Sequence, residues 1–91
     1  MPVHPKAWVD PAARLGDDVE VGAFAVVEAA AVIGPRTRLG PHSYVGTGVV
    51  VGADCVLEAG AIVLAGTKLG DGCLLQPGCV LGSTGFGFVV H

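Results

Sequence analysis

The sequence predicts an all-β fold, a single-stranded parallel β-helix of about five triangular coils, on three observations. Every sixth residue from Val3 to Leu81 is a branched aliphatic, without a miss. A second column, two residues earlier, runs from Ala7 to Cys79 and holds only Ala, Val, Thr, Ser or Cys. A third, immediately after the aliphatic, is glycine at Gly16, Gly22, Gly34, Gly40, Gly46, Gly52, Gly70 and Gly82. Self-similarity at a fixed short period marks a solenoid, in which each unit buries its apolar side by stacking on the next.

Each position of the unit then acquires a role. Side chains two apart on a strand share a face, so the small and the aliphatic residue both point inward and the residue between them points out. The glycine after the aliphatic reads as the corner residue, where permissive backbone dihedrals let the chain turn. Three units close one coil, and like residues stack from coil to coil at the roughly 4.8 Å spacing of paired strands. Residues 1–82 form this helix as one domain, and 83–91 read as a C-terminal loop or cap.

Composition agrees with that architecture and excludes others. The chain is 52% hydrophobic and 14% charged, with 15 glycines in 91 residues, too apolar for disorder and too glycine-rich for a helical bundle. A net charge of -3 with no basic run lacks the electrostatic footprint of a nucleic-acid binder. No uncharged apolar run is long enough to predict a membrane span, and the start has no leader pattern. Three cysteines without zinc-type spacing read as reduced thiols in a cytoplasmic protein. All three fall in the small inward column, Cys55 and Cys73 stacked on one side, which makes them buried and inert. No metal site and no cofactor is expected.

The outward column distinguishes the three faces. Glu20, Arg38, Val56 and Leu74 make one mixed face, and Arg14, Val32, Val50, Lys68 and Phe86 another. The third reads Trp8, Val26, Tyr44, Ile62, Val80, apolar throughout. A continuous exposed apolar stripe containing Trp and Tyr predicts an interface, and a rod with one such face closes most simply as a homotrimer.

The opening His4-Pro5-Lys6-Ala7-Trp8-Val9-Asp10-Pro11 and the run on to Gly16 resemble the start of the β-helix in the lipid A acyltransferases. The ending Gln76-Pro77-Gly78-Cys79-Val80-Leu81-Gly82-Ser83-Thr84-Gly85-Phe86-Gly87-Phe88 resembles the Gly-Phe-Gly-aromatic segment of the N-acyltransferase acting on UDP-3-O-acylglucosamine. Thr84 departs from an acidic residue common in that family, and Phe88 from a frequent Tyr. The resemblance implies a left-handed coil, a trimer, and transfer of a 3-hydroxyacyl chain from acyl carrier protein to the 2-amino group of the sugar nucleotide.

It also implies a histidine general base, since an ammonium must lose a proton to become a nucleophile. In the family that histidine follows the Gly-Phe-Gly-aromatic segment, beyond the end of this sequence. No catalytic residue is therefore assigned here. His4 reads as a turn element, His42 as a solvated corner residue, and His91 is terminal. Two functions compete: a β-helix segment or split form of the N-acyltransferase, inactive alone, and a self-standing non-catalytic trimeric scaffold. Ice binding would need outward threonine ladders, which Thr37, Thr47, Thr67 and Thr84 do not form. Phe86 and Phe88 are the expected cap over the last coil.

Overall fold

The computed structural model describes residues 3–82 and the strand 89–90. Fourteen two-residue strands follow one another: β1 (Trp8–Val9), β2 (Arg14–Leu15), β3 (Glu20–Val21), β4 (Val26–Val27), β5 (Val32–Ile33), β6 (Arg38–Leu39), β7 (Tyr44–Val45), β8 (Val50–Val51), β9 (Val56–Leu57), β10 (Ile62–Val63), β11 (Lys68–Leu69), β12 (Leu74–Leu75), β13 (Val80–Leu81) and β14 (Val89–Val90). β1 to β13 each begin at an outward residue and end on the inward aliphatic, so over them the period-six column and the strands coincide.

Strands three apart pair in parallel and build three faces. β1, β4, β7, β10 and β13 form the Trp8 face, β2, β5, β8 and β11 the Arg14 face, and β3, β6, β9 and β12 the Glu20 face. Val3 extends the Glu20 face by a parallel bridge to Val21. The described residues thus wind a little over four coils of a left-handed parallel β-helix, slightly fewer than the five expected. Bonds such as Trp8 N–H to Ala25 O, 2.9 Å, and Asp10 N–H to Val27 O, 2.8 Å, tie one coil to the next.

The core is the axis of the prism. Ile33, Leu57, Val27, Val45, Val51 and Val63 fill it, and Ala25, Ala31, Thr37, Ser43, Val49, Cys55 and Ala61 close the gaps. Small beside large is required because three inward strands converge on one narrow axis, where each void or overlap is felt. Thr37 is admitted because its Oγ1 donates to Gly52 O at 2.8 Å and accepts from Cys55 N–H at 3.2 Å. Cys55 and Cys79 are buried and Cys73 half-buried, all as free thiols. Cys55 Sγ donates to Gly70 O at 3.1 Å, and burial pushes the Cys73 thiol up.

The corners differ from expectation in one respect. The left-handed residue is not the glycine after the aliphatic but the residue two positions further on: Asp18, Phe24, Ala30, Arg36, His42 and Asp54, then Gly48, Gly60, Gly66, Gly72 and Gly78, with φ between 58° and 78°. That place corresponds to the third residue of a type II turn, which needs positive φ. The glycine after the aliphatic answers a different demand. A Cβ on Gly34 would lie 2.5 Å from the Gly52 carbonyl carbon, and one on Gly22 2.7 Å from Pro41 N, so it permits close approach between coils.

The segment 83–91, expected as a loop or cap, contains β14, which pairs antiparallel with β13 in the register Val80↔Val90 and Leu81↔Val89. The chain therefore reverses after the last coil and its backbone lies along the edge of the Trp8 face, where an unpaired strand would otherwise recruit another chain. The expected capping residues Phe86 and Phe88 lie outside the described residues.

Candidate functional site at the corner between the Glu20 and Trp8 faces

At the corner joining the Glu20 face to the Trp8 face, the turns His4–Ala7, Gly22–Ala25, Gly40–Ser43 and Glu58–Ala61 lie one above another, each closed by an N–H to C=O bond of 2.9 to 3.2 Å. Gly22 and Gly40 leave the middle of this corner without side chains. A groove of about 330 Å³ results, with Glu20, Arg38 and Val56 along its strand side and His4 and Glu58 at the corner.

Its electrostatics are mixed. Arg38 Nε stands 3.7 Å from Glu20 Oε1, and both side chains are well over half exposed, so the pair is loose and worth little. Glu58 is exposed and adds a second carboxylate. His4 Nδ1 accepts the Lys6 amide at 3.0 Å. That bond occupies Nδ1 and leaves only Nε2 of His4 for other partners. With two carboxylates against one guanidinium, the groove favours ligands rich in N–H and O–H donors over polyanions.

Beside the groove, two rings stand on the outer tip of the same corner. Phe24 and His42 are stacked with centroids 5.1 Å apart and ring planes 17° from parallel, and Phe24 is 55% exposed. Their offset of eighteen residues at the same turn position is a signal the sequence contains, although an exposed Phe and an exposed His read separately do not suggest a pair. The groove itself arises only once Gly22 and Gly40 are stacked.

The five residues expected at an interface come together in register: Trp8↔Val26, Val26↔Tyr44, Tyr44↔Ile62 and Ile62↔Val80. Trp8 is 53% exposed, and the other four are half-buried. Tyr44 Oη donates to Glu28 Oε2 at 2.9 Å, which with burial pushes its phenol up. Among the described residues no three His, Cys, Asp or Glu converge as metal ligands, and no helix is long and apolar enough to cross a membrane.

The profile of the family described as "Bacterial transferase hexapeptide (six repeats)" matches residues 12–47 and 48–83. The chain belongs to the bacterial transferase hexapeptide family. The "Hexapeptide repeat of succinyl-transferase" profile also matches this hexapeptide chain, over residues 30–65. Two strains of Stenotrophomonas maltophilia carry an acyl-[acyl-carrier-protein]–UDP-N-acetylglucosamine O-acyltransferase that is 63% identical over 27 residues, 30% of this chain. That match spans 10% of the relative's length. Among solved structures, a mutant perosamine N-acetyltransferase from Caulobacter crescentus, in complex with CoA and GDP-perosamine, is 28% identical over 88% of this chain and 41% of its own, with a TM-score of 0.39. The acetyltransferase domain of PglB from Neisseria gonorrhoeae FA1090, in complex with acetyl coenzyme A, is 24% identical over 88% and 53%, with a TM-score of 0.42.

Proposed function

We propose that this hexapeptide chain supplies β-helix coils to an acyl-carrier-protein-dependent acyltransferase of lipid A biosynthesis, a cytoplasmic homotrimer that moves a 3-hydroxyacyl chain onto UDP-3-O-acylglucosamine. The observation carrying the reading is the 27-residue stretch at 63% identity to an acyl-[acyl-carrier-protein]–UDP-N-acetylglucosamine O-acyltransferase, which names the same acyl donor. The ending Gly85-Phe86-Gly87-Phe88 favours the N-acyltransferase, in which the acceptor amine attacks the thioester carbonyl and expels the carrier thiol.

The described histidines do not fit the base that this chemistry needs. His4 Nδ1 is occupied by an amide and His42 is stacked on Phe24, neither within a hydrogen bond of a carboxylate. The coils supply support and subunit contacts, with Trp8, Val26, Tyr44, Ile62 and Val80 at the threefold interface, and the base comes from elsewhere in the enzyme. A second reading follows from the name of the matched relative: the acceptor is then a sugar hydroxyl, and the enzyme an O-acyltransferase.

The test is a hybrid in which residues 3–82 replace the matching coils of an N-acyltransferase, supplied with 3-hydroxyacyl carrier protein and either UDP-3-O-acylglucosamine or UDP-N-acetylglucosamine. N-acyl product supports the proposal, whereas the 91-residue chain alone should turn over neither acceptor. A folded trimeric hybrid without product on the first acceptor overturns the N-acyltransferase assignment and leaves the coils as scaffold. An equivalent O-acyltransferase hybrid active on UDP-N-acetylglucosamine, with the first one inactive, favours the second reading.

A further inference from the structure

The ring pair at the corner is an unfinished ladder. The turn positions of successive coils read Phe24, His42, Gly60, Gly78, and all four have φ between 59° and 73°. Glycine occupies that conformation freely, whereas phenylalanine is strained there, so Gly60 and Gly78 follow the backbone's preference and Phe24 contradicts it. His42 has Phe24 stacked at 5.1 Å on one side. On the other side the column holds no side chain. A Cβ placed on Gly60 would meet only the backbone of Gly78 at 3.8 Å, and one on Gly78 would meet nothing within 4 Å.

We propose that His42, backed by Phe24 and followed by Gly60, is a stacking shelf for a planar nitrogen heterocycle of the nucleobase kind. The ligand ring takes the place that a third aromatic side chain would hold, one coil further along. Glu58 opens the turn that carries Gly60 and lines the neighbouring groove, where its exposed carboxylate accepts N–H groups from the ring edge or hydroxyls from an attached sugar. With Glu20 and Glu58 against Arg38, that groove does not favour phosphate, so a nucleoside fits better than its phosphorylated forms. The inference stands on the geometry of this corner and holds whether or not the acyl-transfer proposal does.

The experiment is a proton NMR titration of the whole chain with uridine and with adenosine, following the His42 ring protons and the base protons. Ribose and uridine 5′-monophosphate serve as comparisons. A saturable upfield shift of base and His42 signals by at least one nucleoside is expected, with the monophosphate binding no more tightly. Base stacking on one aromatic side chain implies a loss of about tenfold or more in affinity for His42→Gly. Glycine is already accepted at this position of the column, so that variant should keep or raise its melting temperature, and His42→Phe should restore the shift. No saturation with either nucleoside overturns the proposal. So does equal binding of ribose, binding that requires the phosphate, or a folded His42→Gly chain that binds as wild type does.

Discussion

The phenol of Tyr44 donates to the carboxylate of Glu28 at 2.9 Å, joining the apolar stripe of one coil to the corner that follows the preceding coil's strand. This bond needs the phenol protonated, and it pushes the Tyr44 phenol above its ordinary range. A group whose pKa is raised on folding stabilises the fold fully below its unfolded value, about 10 for tyrosine, and loses that contribution as pH rises through the folded value. Tyr44→Phe should therefore cost about 1 kcal/mol at neutral pH and progressively less above pH ~10. Urea unfolding of both chains across that range checks it, and parallel curves would exclude the linkage.

The same residue tests the proposed trimer. Placing a carboxylate in the middle of the face proposed to be buried between subunits would remove apolar contact, add an unpaired charge, and set it near Glu28. Tyr44→Asp should dissociate the oligomer in sedimentation velocity at neutral pH, whereas Tyr44→Phe should not. A Tyr44→Asp chain that sediments as the wild type does would remove the Trp8 face from consideration.

The two kinds of glycine predict opposite responses. Ala30 has φ 62° in a column continued by Gly48 and Gly66, and leaving the left-handed region to glycine relieves about 1 to 2 kcal/mol of steric cost. The greater freedom of glycine in the unfolded chain takes back about 0.5 to 1 kcal/mol. Ala30→Gly should consequently raise the melting temperature by a few degrees. Gly34→Ala puts a methyl 2.5 Å from the backbone of Gly52, which cannot rotate away, and should cost about 1 to 3 kcal/mol.

That distinction is not legible in the sequence. The column from Val3 to Leu81 announced its inward face because burial selects for apolarity, and the register Trp8–Val26–Tyr44–Ile62–Val80 followed from the coil length alone. In the sequence Gly16 and Gly34 read as turning residues, because a glycine does not say whether it serves positive φ or close approach. The turning residues of the early coils, Asp18, Phe24 and Arg36, are not glycine and so hid the column. The His42 shelf and the Gly22–Gly40 groove depend on which residues are missing a side chain next to those that have one, a relation visible only when coils are stacked. Val89–Val90 falls outside the repeat, and nothing in its two valines specifies an antiparallel partner.

Inside the prism, two hydroxyls in equivalent columns should behave differently. Thr37 Oγ1 bridges Gly52 O and Cys55 N–H, so Thr37→Val leaves one buried and one part-buried backbone group unpaired and should cost about 1 to 3 kcal/mol. Ser43 Oγ is buried without a hydrogen-bond partner, between the alanines Ala25 and Ala61 of adjacent coils. Ser43→Ala removes a desolvated hydroxyl and should leave stability unchanged or higher. Denaturant midpoints of the two variants, read against the wild type, decide the comparison.

On the outside, Arg36 and Asp54 form a two-pronged ion pair, Nε to Oδ1 at 2.8 Å and Nη2 to Oδ2 at 3.1 Å, between turn positions that are both left-handed. The guanidinium holds the Asp54 carboxyl below its ordinary 3.8. A carboxylate with a lowered folded pKa stabilises above its unfolded value and loses that contribution as pH falls through the folded one, so the pair should weaken only below pH 3.8. Both side chains are more than half exposed, 58% and 56%, so the contribution is small and screened by salt. The backbone strain of Arg36 at φ 60° is not screened. Arg36→Gly should therefore be more stable than the wild type in about 1 M salt, where the Debye length is roughly 3 Å, with its advantage shrinking in dilute buffer near neutral pH. Melting curves of the two chains at low and high salt decide between pair and strain, and an Arg36→Gly chain less stable at both would show that the pair outweighs the strained turn.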